Sequence, residues 1–121
     1  MATMNDVVEH IDNVKPNVFS EEDKYRWINK LEGMISLEVH QDEEPVQYDL
    51  PDDADKELLV HHPYDDIYGL YVASMIDFYN KEYNHYNNSV LVFSERLEAY
   101  KAWYIRHNNP AKARNFRNVM G

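Results

Sequence analysis

The chain has 121 residues, 22 acids against 12 Lys and Arg, a formal charge of −10 and no cysteine. One domain is expected at this length; the charge disfavours a grip on nucleic-acid phosphates or an anionic membrane, and the missing thiols exclude disulfides, thiolate nucleophiles and Cys-ligated zinc. No apolar run approaches the roughly 18 residues of a membrane span, and Met1-Ala2-Thr3-Met4-Asn5-Asp6 has neither the basic start nor the apolar stretch of a secretory signal, so a soluble intracellular chain is expected.

Apolar residues make up 44% of the chain, enough for a real core, and glycine is limited to Gly33, Gly69 and Gly121. So few glycines favour helices over a turn-rich β domain and leave no glycine-rich phosphate loop. In chain order, Val7, Val8, Ile11 and Val14 recur at helical spacing, with Asn5 or Asp6 as cap and Lys15-Pro16 as stop. A second helix is predicted from Ser20 to about His40. Ser20 caps it, Glu21, Glu22 and Asp23 fill the first turn, and Trp27, Ile28, Leu31, Met34, Ile35 and Val39 form the apolar stripe. Lys24, Lys30, Glu32 and Glu38 fall mostly off that stripe, and Gly33 within it marks a close helix contact.

Residues 41–62 lose the helical period through Pro45, Pro51 and two acid clusters. From Glu38 to Glu57 there are nine acids and one lysine. Val46 to Leu50 alternates with period two, as an extended arm or exposed strand does. A third helix is predicted from Asp65 to about Tyr83; it is apolar nearly all round, so it is central in its domain or covered by a partner chain. Asn84-His85-Tyr86-Asn87-Asn88 is read as a turn. Asn88 or Ser89 then caps a fourth helix, whose Val90, Phe93, Leu97, Tyr100 and Tyr104 make a seam that ends at Asn108-Asn109-Pro110. The last eleven residues carry Lys112, Arg114 and Arg117 around Phe116, and six bases face one acid from Arg96 onward. The fold class expected is all-α: one domain, 1–121, built as a small antiparallel bundle of about four helices with its helical core at about 5–108. A long acidic insertion at about 41–62, a loop or a short β-hairpin, separates helices two and three, and a basic tail occupies 111–121.

Few residues point to chemistry. None of the six histidines, His10, His40, His61, His62, His85 and His107, sits in a metal-ligand spacing. Paired acids such as Asp52-Asp53 and Asp65-Asp66 fall in loops or exposed first turns, not in the desolvated pocket that acid–base catalysis needs. Asn87-Asn88-Ser89 matches the glycosylation triplet but is read as turn and cap. No catalytic residue, metal ligand or cofactor is expected. The aromatic series Tyr64, Tyr68, Tyr71, Tyr79, Tyr83 and Tyr86 lacks the cations of a nucleic-acid stacking platform, since Lys81 is the one base between Lys56 and Arg96; core and subunit interface are expected instead. In the tail, Lys112, Arg114, Phe116 and Arg117 combine an aromatic anchor with cations, as docking arms do.

The stretch His62-Pro63-Tyr64-Asp65-Asp66-Ile67-Tyr68, then Ile76-Asp77-Phe78-Tyr79-Asn80-Lys81-Glu82-Tyr83-Asn84-His85-Tyr86-Asn87-Asn88-Ser89, then Phe93 and Tyr100 to His107, resembles the head–tail connector (head-completion adaptor) proteins of tailed bacteriophages and prophages in Gram-positive hosts. The resemblance runs from Val60 to His107; the N-terminal helices and acidic insertion fit the layout of the class but not its residues, and Ala111–Gly121 matches no pattern. It implies a compact α-helical protomer that assembles as a ring, typically twelvefold, beneath the portal protein. Such a ring sits at the head–tail junction of a virion assembled in the bacterial cytoplasm. It extends the DNA channel without specific DNA binding and offers a surface to the next head-completion or tail protein, with no catalysis and no cofactor. A terminal segment commonly reaches the portal, a role that would fall to Lys112, Arg114, Phe116 and Arg117.

A ring needs two different sticky faces on each protomer. Tyr64, Tyr68, Tyr71, Tyr79, Tyr83 and Tyr86 are the expected self-assembly face. Asp42, Glu43, Glu44, Asp52, Asp53 and Asp55 are the expected channel-facing acids, which would repel a sliding genome. The alternative is an acidic inhibitor that mimics DNA and fills a host protein's nucleic-acid groove; mimics space their acids along a rigid surface, whereas these are concentrated in one proline-containing segment.

Overall fold

The structure, a computed structural model, describes residues 2–108. Four helices form: α1 (Met4–Val14), α2 (Glu21–Glu38), α3 (Asp66–Tyr79) and α4 (Tyr83–Asn108). Among the described residues no strand forms, and a single antiparallel bridge joins Thr3 to Glu57. The protein is thus small and all-helical, as its composition implies.

Local chemistry sets the helix ends. Thr3, not Asn5 or Asp6, caps α1: its Oγ1 accepts the Asp6 N–H at 3.1 Å, and the Asp6 carboxylate accepts the Thr3 N–H at 3.3 Å. Asp6 is thus the third-position partner in a capping box, one turn earlier than the apolar spacing alone suggests. Ser20 caps α2 as expected, accepting the Asp23 N–H at 3.1 Å.

The predicted turn at Asn84–Asn88 is helical, as is the predicted cap at Asn88 or Ser89; both belong to the first turns of α4. The chain reverses earlier, at residues 80–82. Glu82 N–H donates to the Asp77 carbonyl at 2.9 Å and Lys81 N–H to the Phe78 carbonyl at 3.0 Å, with Lys81 at φ 61°. That pairing satisfies the orphan carbonyls of α3 and ends it at Tyr79 rather than Tyr83. The asparagines signalled a turn, but the closure of α3 decided where it falls. α4 then runs back along α3. Ser89 reaches Asp77, Phe93 packs on Tyr71 with ring centroids 5.3 Å apart, Arg96 bonds Asp66 at 3.0 Å, and Trp103 meets Tyr64 at 5.8 Å.

α3 packs against the other three helices, which accounts for its lack of a polar face. The core gathers Met4, Val8, Ile28, Leu31, Ile35, Leu58, Val60, Ile67, Val72 and Ile76, with Phe93, Leu97 and Tyr100 from α4. Val14, expected on the buried face of α1, is 61% exposed, because it lies at the helix end, beyond Ile11.

The segment between α2 and α3 bonds to α2 through Val46, Tyr48 and Leu59 and to the amino end of the chain through Ala54 and Leu58. Val46, Tyr48 and Leu50 are half-buried while Gln47 and Asp49 are exposed, which reproduces the period of two. No hairpin forms, because α2 side chains take the backbone donors a ladder would use: Val46 N–H donates to Ser36 Oγ at 2.9 Å, Tyr48 N–H to Asn29 Oδ1 at 3.0 Å and Leu59 N–H to Glu32 Oε2 at 2.9 Å. Gly33 faces this arm and not another helix; a Cβ there would stand 3.5 Å from the Val46 carbonyl oxygen and 3.6 Å from Pro45 Cβ.

Two polar residues expected off the α2 stripe are inside. Lys24 is 2% exposed and pairs with Asp12 of α1. Glu32 is fully buried. Its Oε2 also accepts the Tyr48 hydroxyl at 2.8 Å, and its Oε1 accepts the Tyr68 hydroxyl, which in turn accepts the Val60 N–H at 2.8 Å. Burial pushes the Glu32 carboxyl above its ordinary range, against the pull of the Tyr68, Leu59 and Tyr48 donors. Replacing Glu32 with Ala strands Leu59 N–H and the Tyr68 hydroxyl, so a loss of about 3 kcal/mol is expected by urea denaturation. Lys81→Gly relieves the left-handed backbone and is expected to raise stability by roughly 1 kcal/mol, read as a higher Tm.

Candidate functional site

The expected docking residues Lys112, Arg114, Phe116 and Arg117 lie outside the described residues. The expected channel acids divide in two. Asp42, Glu43, Glu44 and Asp52 are exposed and outside any ion pair among the described residues. Asp53 and Asp55 fasten the segment instead. The Asp53 carboxylate accepts the Asp49 N–H at 2.8 Å and pairs with Lys56 at 3.1 Å, and these contacts hold its pKa below the usual range, the Asp49 bond first. Asp55 accepts the Asn5 side-chain amide and ties the segment to α1.

The six tyrosines do not form one face. Tyr68 is wholly buried with its hydroxyl on Glu32, so it belongs to the core and leaves the expected assembly face. The sequence of α3 hid this, since its apolar residues run nearly all round the helix and do not mark which side is buried. Tyr64 packs between Tyr100 and Trp103, and the Arg96 guanidinium lies 5.4 Å from its ring centre. Tyr71 lies against Phe93. Tyr79, Tyr83 and Tyr86 gather at the opposite end of the α3–α4 hairpin.

At that end the rings are continuous. Tyr79 stacks on Trp27 at 5.7 Å and 9°, Phe19 meets both, and Phe78 contacts Tyr79, Tyr83 and Tyr86 at 5.4, 6.5 and 5.3 Å. Phe78, Tyr79 and Tyr83 are exposed, and Val18, beside Phe19 in the chain, is 94% exposed. Trp27 packs against the core with the rest of the α2 stripe and also reaches Tyr79; Phe19 carries no signal in the sequence, because no spacing rule links a linker residue to two helix ends.

At the other end His40 lies flat on Tyr104, 4.3 Å away and 9° from parallel, with its Nε2 2.6 Å from the Tyr100 hydroxyl. Burial lowers the His40 pKa from 6.5, against the pull of Asp42. The unfolded chain therefore binds this proton more readily than the folded one, and stability falls as pH drops below about 6.5. In His40→Gln that part of the acid slope is expected to vanish, measured as Tm against pH.

An open groove of about 710 Å³ runs between α1, α3 and α4, floored by Val7, Ile11, Leu70 and Val92, with Asp6 and Arg96 among its polar lining. The α3–α4 corner carries one polar cluster: a ligand atom each from Asp77, Glu82 and His85 lies within 4.8 Å of the others. The sequence placed His85 in a plain turn, and only the tight closure at 80–82 brings it to Asp77. Among the described residues no helix is long and apolar enough to cross a membrane. Comparison with models of known families, with curated proteins and with solved structures finds no match.

Proposed function

We propose that this protein is a structural assembly component of the phage head–tail connector class, acting by contact with copies of itself and with virion neighbours. The observation that carries the reading is the aromatic cluster at the α3–α4 corner, in which Phe78, Tyr79 and Tyr83 are exposed and Phe19, Trp27 and Tyr86 lie half-buried beside them. Apolar patches of this kind on a small domain favour association, and Trp and Tyr are the residues that anchor interfaces. Leu91 and Val92, also exposed on α4, support a second contact surface, as a ring with two unlike faces on each protomer requires.

In this reading copies associate through the aromatic end, and Tyr79, Tyr83 and Tyr86 remain the self-assembly residues. Asp42, Glu43, Glu44 and Asp52 face the DNA channel, which lets DNA pass without specific binding. The basic tail, Lys112 to Arg117, docks on the portal, and the next head-completion or tail protein meets the far side. The protomer is an antiparallel bundle with a long acidic loop, and it resides at the head–tail junction.

The same four unpaired acids favour a second reading, the acidic DNA-mimic inhibitor. It is discriminated by pull-down of a nucleic-acid-binding host protein that DNA displaces.

The assembly reading predicts that the protein purifies with particles and forms oligomers on isolated portal. Tyr83→Glu, at an exposed position, is expected to abolish oligomers in cross-linking while leaving the thermal melt unchanged. Absence from particles, or assembly indifferent to that charge, overturns the reading.

A further inference from the structure

We propose that Asp77, Glu82 and His85 form a binding site for a divalent transition-metal cation, of which Zn²⁺ suits one imidazole and two carboxylates best. The proposal is independent of the assembly reading. The ligand atoms lie within 4.8 Å of one another; bonds of about 2.0–2.2 Å to one ion hold its ligands closer than that, so the exposed Glu82 and His85 side chains move inward by about an ångström on binding. His85 Nδ1 and Glu82 Oε2 are 3.5 Å apart, near the roughly 3.3 Å edge of a tetrahedron with such bonds. The backbone holds this spacing. Glu82 N–H bonds the Asp77 carbonyl at 2.9 Å, and Glu82 and His85, three residues apart where α4 begins, share a face.

A second observation concerns Asp77 itself. It has no solvent exposure, and its Oδ2 accepts the Ser89 hydroxyl at 3.0 Å. Its Oδ1 accepts no hydrogen bond. The Lys15 ammonium stands 2.6 Å from Oδ1, an ion-pair distance, but out of line for a hydrogen bond. This buried carboxylate sits at the negative end of α3 and beside Glu82, a setting that favours a cation. Lys15 is the cation already present. It reaches in from the end of α1 and is 28% exposed, so water is available to it when it swings away. Binding is then an exchange: metal enters, ammonium leaves. A hollow lined by Lys81, Glu82, Tyr83, Asn84 and His85 lies beside the two exposed ligands, Glu82 and His85, and gives water access to them.

The test is calorimetric titration of the full chain with Zn²⁺, paralleled by the visible absorption of Co²⁺. One ion per chain is expected. His85→Ala and Glu82→Gln, both at exposed positions, should weaken binding at least tenfold without moving the melt. Lys15→Met should tighten it by removing the competitor. No binding, binding that His85→Ala leaves intact, or an affinity that Lys15→Met leaves unchanged or weakens would each overturn the site.

Discussion

One carboxylate organises this protein. Glu32 projects from the side of α2, and everything it accepts comes from elsewhere: a hydroxyl from the arm, a hydroxyl from α3 and a backbone N–H from the end of the connection. An ionised group in such a place is tolerable only when donors replace its lost water. Those donors have to be brought in from three chain segments, so desolvation of one acid specifies the path of more than twenty residues. Tyr68 extends the chain of bonds to Val60, and α2, α3 and the connection become one unit.

This explains which parts of the fold were legible. Apolar periodicity found the four helices, and Ser20 gave the α2 start, because those signals act within a few residues. Lys24 and Glu32 were misplaced because a helix face looks polar whether it meets water or a satisfied polar partner. The α3–α4 turn was displaced because asparagines advertise a turn without fixing it, whereas the bonds from Lys81 and Glu82 back to Phe78 and Asp77 do. The alternation in Val46–Leu50 was read correctly as extended, but its partner is a row of α2 side chains and not a second strand. Of the candidate surfaces, the exposed acids were visible as a cluster. The aromatic end was only half visible, since Phe19 and Trp27 reach Tyr79 across helix boundaries.

The surface is correspondingly divided. Open carboxylates lie on the connection, and exposed rings crowd the α3–α4 corner. Elsewhere ions are neutralised in place: Lys24 by Asp12, Lys15 by Asp77 and Arg96 by Asp66.

The bridge between Thr3 and Glu57 has a kinetic side. Asn5 meets Asp55 across 50 residues of chain, whereas α3 and α4 are joined by an immediate reversal. Closing the long loop carries the larger entropic cost, and distant contacts of this kind slow folding. The N-terminal helix therefore depends on a docked middle segment for its seat, so proteolysis or strain within residues 41–57 would be felt first at the amino end.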